Sequence, residues 1–517
     1  MKRKLLLILS ALLLAALLTG CADLDDPGPD TPDTPSQSDA PVVDPIPVPA
    51  GLKSFSLPYT AGETLDPITC SDGPHQVIGA LLYEGLYALD GQFEPQPMLA
   101  EGYTYDPETR LYTIRLRGDV TFSDGTPLTA GDVAATLERA RWSPRYAGRL
   151  SDVASIKAGD GAVIIALYRP NASFIARLDI PIVKAGTEGD DVPVGTGRFV
   201  WRQGEDGDYL EANPESWRHM TLPLEKIPLV PCKDSDVMAY AFFSREVQLV
   251  TWDLTGTVVF NATGVSSYTD APTPVMQYLG FNTNSPLFSD PALRSALSLG
   301  VDRAGCVEAN LLNHAVPADF PLSPASSLYP KDLAIPYSAD SFAAAMEEAG
   351  YATERERPAT LIVSAENTFR VEMARQIAEE LSRFDVKITV TPLPWTEFQT
   401  ALAVGKYDLY YGECKLPADW DLSALLGIGG TLNFSGYTDE ELPGLLEAAA
   451  TTSGARHSSA LRALYAHLQQ EAPIIPICFK NVSVLLPDKA VKIASPTASD
   501  PFSHLEDWVI QWAEDKP

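Results

Sequence analysis

From residue 53 onward the hydrophobic positions switch repeatedly between a period of two and a period near three and a half, the mark of strands alternating with helices. Residues 53–57 read as a first strand leading into Thr64-Leu65-Asp66-Pro67, and 77–86 as a helix. Residues 111–116 (Leu-Tyr-Thr-Ile-Arg-Leu) alternate as a strand, and Asp124-Gly125 signals a turn. Thr129, with Asp132 three positions on, predicts a capping box ahead of a helix over 133–140; 162–167 predict an apolar strand. The clearest stretch comes later. Residues 360–364 form a strand, Val371, Ala374, Ala378 and Leu381 share one helical face, and 386–390 form a second strand. Residues 395–404 form a helix and 407–411 a third strand. A βαβαβ run requires parallel strands with right-handed crossovers, and ligands of such sheets lie beyond the carboxyl ends of the strands. Segments 413–421 and 392–395 are therefore candidate cleft loops.

The amino terminus follows another pattern. Lys2, Arg3 and Lys4 precede an apolar run over 5–18, too short for a comfortable membrane span, that ends in Leu18-Thr19-Gly20-Cys21. This resembles the bacterial lipobox, which implies diacylglyceryl transfer to Cys21 and cleavage before it, with 1–20 as signal peptide. Residues 22–50 hold eight Pro and seven Asp and no Lys or Arg, a composition that cannot bury apolar surface and predicts an extended tether.

Length and charge narrow the classes. The 517 residues leave room for about three domains. With 38 Lys+Arg against 68 Asp+Glu the net charge is -30, which argues against nucleic acid and against electrostatic docking on anionic lipid. Five cysteines follow Cys21 at wide spacing, so one or two disulfides are possible but cannot be paired. The six His are scattered, and no zinc, GxSxG, HExxH or phosphate-loop pattern occurs. No catalytic residue, metal or cofactor is expected.

A series of short motifs then falls into one order. Leu65-Asp66-Pro67 is followed by Tyr83-Glu84-Gly85-Leu86 and Pro97-Met98-Leu99-Ala100. Next come 113–117 (Thr-Ile-Arg-Leu-Arg), Phe122-Ser123-Asp124-Gly125-Thr126 and Ala130-Gly131-Asp132-Val133. Pro193-Val194-Gly195-Thr196-Gly197 has Arg198 where Pro is usual; Asn213-Pro214 and Trp217 follow. Phe281-Asn282-Thr283, Leu293 to Leu297, Asp302-Arg303, Glu348 to Tyr351 and Pro473 to Pro476 close the series. Together they resemble the family 5 extracellular solute-binding proteins of ABC importers, of the oligopeptide and dipeptide type.

The resemblance implies an α/β, periplasmic-binding-protein-like two-lobed hinge fold (type II, cluster C) with an extra inserted domain. Domain I would take 51–75, 186–275 and 481–517, domain II 76–185 and domain III 276–480. It also implies a monomer that presents a peptide or similar small molecule to ABC permease subunits, held to the membrane by its lipid. A signalling module using the same cleft, or a surface hydrolase, are the alternatives. In peptide binders of the family an Asp in an Ala-Asp-Tyr-like segment pairs with the ligand's α-amino group, and Ala418-Asp419-Trp420 falls at the corresponding place. Asp419 or Asp421 could instead cap a helix starting near Leu422. Glu413 and Lys415 flank the same loop, and could face the ligand or pair with each other. Trp252 and Asp253 end a strand over 247–251, with Trp252 a stacking or a core residue. Asn282, at the expected crossover between lobes, suits backbone hydrogen bonding at a hinge. With no His in 407–421, a nickel-type ligand is less favoured than a peptide.

Overall fold

The computed structural model describes residues 51–513, apart from 259, 261–265 and 494. The signal peptide, Cys21 and the tether lie outside the described residues. Among the described residues no helix is long and apolar enough to cross a membrane.

The first sheet runs Leu57–Tyr59, Lys226–Pro231, Tyr209–Ala212, Phe199–Arg202; its first pair is parallel and the rest antiparallel. Its opening strand starts where the expected 53–57 strand ends, and upstream of it Leu52 forms an isolated bridge with Trp512. The helix expected over 77–86 spans Gly73–Leu82 and stops at Tyr83, whose backbone is extended (φ -132, ψ 147). Gly195 and Gly197 explain why this region needs glycine. A Cβ on either would collide with the backbone of Leu81 or Leu82, so the 193–197 motif packs directly on the helix end. Ile78, Leu81 and Leu82 join Leu57, Phe199 and Leu210 in the core of this sheet. Arg198, the departure from the family motif, is buried and donates to the Phe502 and Ala80 carbonyls and to Asp500, fastening the carboxyl-terminal segment.

A second, antiparallel sheet has the order Ala100–Asp106, Leu111–Leu116, Ala162–Leu167, Val153–Ala158. The alternation in Leu111–Leu116 turns Tyr112 and Ile114 inward, against Val163, Ile165 and Leu167. Helix Ala130–Ala140 covers that core with Val133, Leu137 and Ala140, and both halves of the Thr129–Asp132 capping box form.

The third sheet has seven strands and contains the βαβαβ unit. Arg357–Ser364 lies between Val386–Leu393 and Leu409–Lys415 and is parallel to both. Val371, Ala374, Ala378 and Leu381 are buried on helix Thr368–Leu381, as their spacing requires. The third strand runs on to Lys415, so Glu413 and Lys415 are strand residues, in register with Gln277 and Val275.

Two long strands, Ser266–Phe281 and Ile474–Pro487, pair antiparallel from Ser266/Pro487 to Gly280/Ile474. At one end Val484 and Leu486 enter the core of the first sheet; at the other Leu279, Phe281 and Ile475 enter the core of the βαβαβ unit. One ribbon thus joins two hydrophobic cores.

Cys70, Cys232, Cys306, Cys414 and Cys478 are all buried and free, so the disulfides left open by the sequence do not form among the described residues. Burial raises the Cys478 thiol to about 12, which keeps it protonated and unreactive.

Candidate functional site

A cavity of about 760 Å³ draws its walls from distant parts of the chain. The helix end supplies Tyr83 and Glu84, the 144–149 loop supplies Arg145 and Arg149, and the end of the third βαβαβ strand supplies Lys415 to Ala418. Arg177, Arg198 and Arg218 also reach it.

Glu84 is buried beneath this wall. Its Oε2 accepts from Trp217 Nε1 (2.7 Å) and Thr196 Oγ1 (3.0 Å), while Oε1 has no hydrogen-bond partner. Burial outweighs these hydrogen bonds and the Arg218 and Arg198 charges, and lifts its carboxyl above the ordinary value. The Tyr83 hydroxyl is likewise buried without a partner, and burial raises it.

Another part of the lining rests on a buried ionic network. Arg177 donates from Nε to Asp419 Oδ2 (2.6 Å) and from Nη2 to Asp421 Oδ2 (3.0 Å), and its Nη1 lies 3.3 Å from Asp152. Arg169 bridges Asp152 (2.6 Å) and Asp421 (2.9 Å), and Asn171 donates to Asp419 at 2.7 Å. The Asp419 carboxylate is therefore taken up by Arg177 and Asn171; its other oxygen is buried without a partner. Asp421 lines the cavity and accepts from the Ser423 backbone (2.9 Å), while the cap position of helix Ser423–Leu426 falls to Leu422, which makes no side-chain cap bond. Burial alone would raise Asp421, but the Ser423 hydrogen bonds, then Arg177 and Arg169, outweigh it and hold its carboxyl below the ordinary value.

The other residues singled out by sequence scatter. Trp420 is core: its backbone is left-handed (φ 58) and its ring packs edge-on against Phe93 (5.2 Å) and Phe479 (6.2 Å). Glu413 and Lys415 do not pair with each other. Glu413 takes Arg370 (2.6 Å), Gln277 (2.9 Å) and Lys480 (3.8 Å), whereas Lys415 turns into the cavity. Trp252 and Asp253 line a smaller space of about 340 Å³ with Val77 and Met238. There Trp252 donates to the Val258 carbonyl (3.0 Å) and Asp253 is ion-paired with Lys480. Asn282 does not line the cavity. Its amide donates to the Gly405 (3.2 Å) and Tyr407 (3.0 Å) carbonyls, tying a long strand to the loop before the third βαβαβ strand.

Sequence reasoning missed Arg145, Arg149 and Arg177. A signal was present: Arg141, Arg145 and Arg149 recur every four residues in a strongly acidic chain. Periodicity alone does not say that they reach a cavity.

An α/β body in which a two-stranded ribbon joins separate cores, with a cavity walled by distant segments, is the architecture of a two-lobed solute-binding protein. The profile of the bacterial extracellular solute-binding proteins, family 5 (middle region), matches residues 94–425, and the chain belongs to that extracytoplasmic family. Its members are binding proteins of transport systems, not enzymes. The glutathione-binding protein GsiB of Shigella dysenteriae is 24% identical over 451 residues, 81% of this chain and 87% of the relative. Among solved structures, the substrate-binding protein CtaP of Listeria monocytogenes shares the fold with a TM-score of 0.71 and 20% identity. The match covers 89% of this chain and 100% of that one. The murein tripeptide-binding protein MppA, in an unliganded open form, gives a TM-score of 0.74 and 18% identity over 90% of this chain and 98% of its own.

Proposed function

We propose that this chain is a lipid-anchored substrate-binding protein that captures a small peptide-like solute and delivers it to the permease of an ABC importer, acting as a monomer. The cavity of about 760 Å³ carries the reading. Its volume lies in the ~300–1,000 Å³ range of sites that enclose a small molecule, and suits a tripeptide better than a long peptide. Its wall mixes apolar surface with a few convergent charged and hydrogen-bonding groups, as such sites require. The relatives point the same way, since GsiB is named for glutathione and MppA for a murein tripeptide.

The long paired strands are the element about which one lobe would move on the other, and closure over the solute is what a permease would read. The Leu18-to-Cys21 lipobox and the Pro- and Asp-rich tether hold the body at the membrane, where two or three acyl chains anchor firmly and one alone would not.

Calorimetry with reduced glutathione and Ala-Ala-Ala, beside native mass spectrometry of protein from its own host, tests the ligand. A true ligand should raise the melting temperature by mass action and shrink the radius of gyration in solution scattering. Failure of both peptides, with a non-peptide solute co-purifying, would overturn the peptide reading. Cys21→Ser should leave unprocessed precursor or release the protein from membranes; unchanged processing and anchoring would overturn the lipid anchor.

A further inference from the structure

Most of the cations around the cavity are neutralised by the protein itself. Arg177 has Asp419, Asp421 and Asp152, Arg198 has Asp500, Arg149 has Asp179, and Arg218 lies 3.6 Å from Glu84. Two are not. Lys415 and Arg145 line the cavity, are exposed, and form no ion pair among the described residues.

Their surroundings make the imbalance sharper. Arg145 and Arg149 both lie over the Tyr146 ring, 5.2 and 5.6 Å from its centroid, and Arg145 Nη1 donates to the Cys70 carbonyl (3.1 Å). These contacts hold the guanidiniums in place without neutralising them. Lys415 keeps contact with water, yet desolvation, then the nearby charges of Arg149 and Arg145, lower its ammonium below the ordinary lysine value. Three cations thus line one cavity, Arg145 and Arg149 side by side over Tyr146, while only Arg149 has an internal counter-charge. An anionic group placed there would relieve the mutual repulsion and form charge-assisted hydrogen bonds.

We infer that Lys415, with Arg145 and Arg149, forms an anion subsite that takes a carboxylate of the bound solute. The inference rests on the solute-binding reading of the cavity and deepens it. The preferred solute is an acidic or free-acid peptide, and the wall made by Lys415 and the 144–149 loop is where its carboxylate goes.

The test uses calorimetry and thermal shift at constant ionic strength on wild type, Lys415→Met, Lys415→Arg and Arg145→Met. The probes are reduced glutathione, its dimethyl ester, and glutarate as a dicarboxylate alone. Esterification should weaken binding to wild type at least about tenfold. Lys415→Met should lose a similar factor for the free acid and be indifferent to the ester, Lys415→Arg should retain most of the affinity, and Arg145→Met should fall between. Glutarate should stabilise wild type and not Lys415→Met. If glutathione fails to bind while glutarate still separates those two proteins, the tripeptide reading falls and the anion subsite stands. An unchanged acid-to-ester ratio in Lys415→Met, or an equal response of both proteins to glutarate, overturns the subsite. Arg145→Met, an independent surface substitution, decides the question if Lys415→Met misfolds.

Discussion

Arg177 Nε lies 2.6 Å from Asp419 Oδ2, although the two residues are 242 positions apart, and their side chains are only 3% and 1% exposed. The pair joins the short helical turn Phe174–Arg177 to the loop that leaves the βαβαβ sheet. It is a fastening between two cores of the molecule, made in a setting where an unpaired charge is costly.

Arg177→Met should therefore destabilise the protein by about 3–5 kcal/mol, since it leaves Asp152, Asp419 and Asp421 facing one another without their shared cation. Asp419→Asn should cost less, because Arg177 keeps Asp152 and Asp421. Urea unfolding measures both. Asp419→Asn should also leave the ratio of affinities for Ala-Ala-Ala and its N-acetyl form unchanged. A tenfold loss confined to the free-amino peptide would assign Asp419 to the ligand's ammonium group after all.

Phe93 sits at the turn between Tyr87–Leu89 and Pro95–Pro97 and packs into the same core as Trp420. Phe93→Ala should cost about 3–5 kcal/mol through lost transfer energy and the cavity left behind. An unfolding midpoint close to wild type would show that this hairpin adds little to the fold.

His457 gives a pH limb of definite sign. It is buried on helix Ala455–Glu471 with Nδ1 3.0 Å from the Ala449 carbonyl. Desolvation lowers its pKa below the ordinary 6.5 and outweighs the opposite pull of that carbonyl, Asp419 and Glu94. The unfolded chain then takes up the proton first, so stability falls as pH drops below about 6.5 and levels off beneath the folded value. His457→Gln should remove this limb. Unfolding free energies at pH 7 and pH 5 check it, and a variant that loses as much as wild type between them would contradict it.

Gly195→Ala should destabilise by about 1–3 kcal/mol or more, since its new methyl group would meet the Leu82 carbonyl and the Tyr83 ring. Because Tyr83 and Glu84 line the cavity, ligand affinity should fall with it. Thermal unfolding and calorimetry on one preparation test both, and unchanged values would show that the helix end can shift aside.

Much of the architecture could be read along the chain, because it rests on near neighbours. The alternation at 111–116, the Thr129–Asp132 box and the buried face of Val371, Ala374, Ala378 and Leu381 depend on backbone periodicity and on partners within a few positions. The parallel strands follow from the lengths of the helices between them. The ordered motifs placed the chain in its family before any contact was known; that Gly195 and Gly197 pack on the end of helix Gly73–Leu82, where a Cβ would not fit, emerged only from the structure. The partners of charged side chains are a different matter. Glu413 and Lys415 stand two apart on one strand, yet the first meets Arg370 and the second the cavity. Asp419 meets Arg177 from the far side of the fold, and five cysteines that could have bridged lie free. A carboxylate accepts equally well from any nearby guanidinium, and this sequence offers 38 cations to 68 acids. Which ones meet, and which two cations stay unpaired in the cavity, depends on how segments hundreds of residues apart are brought together, and that is settled only when the cores pack.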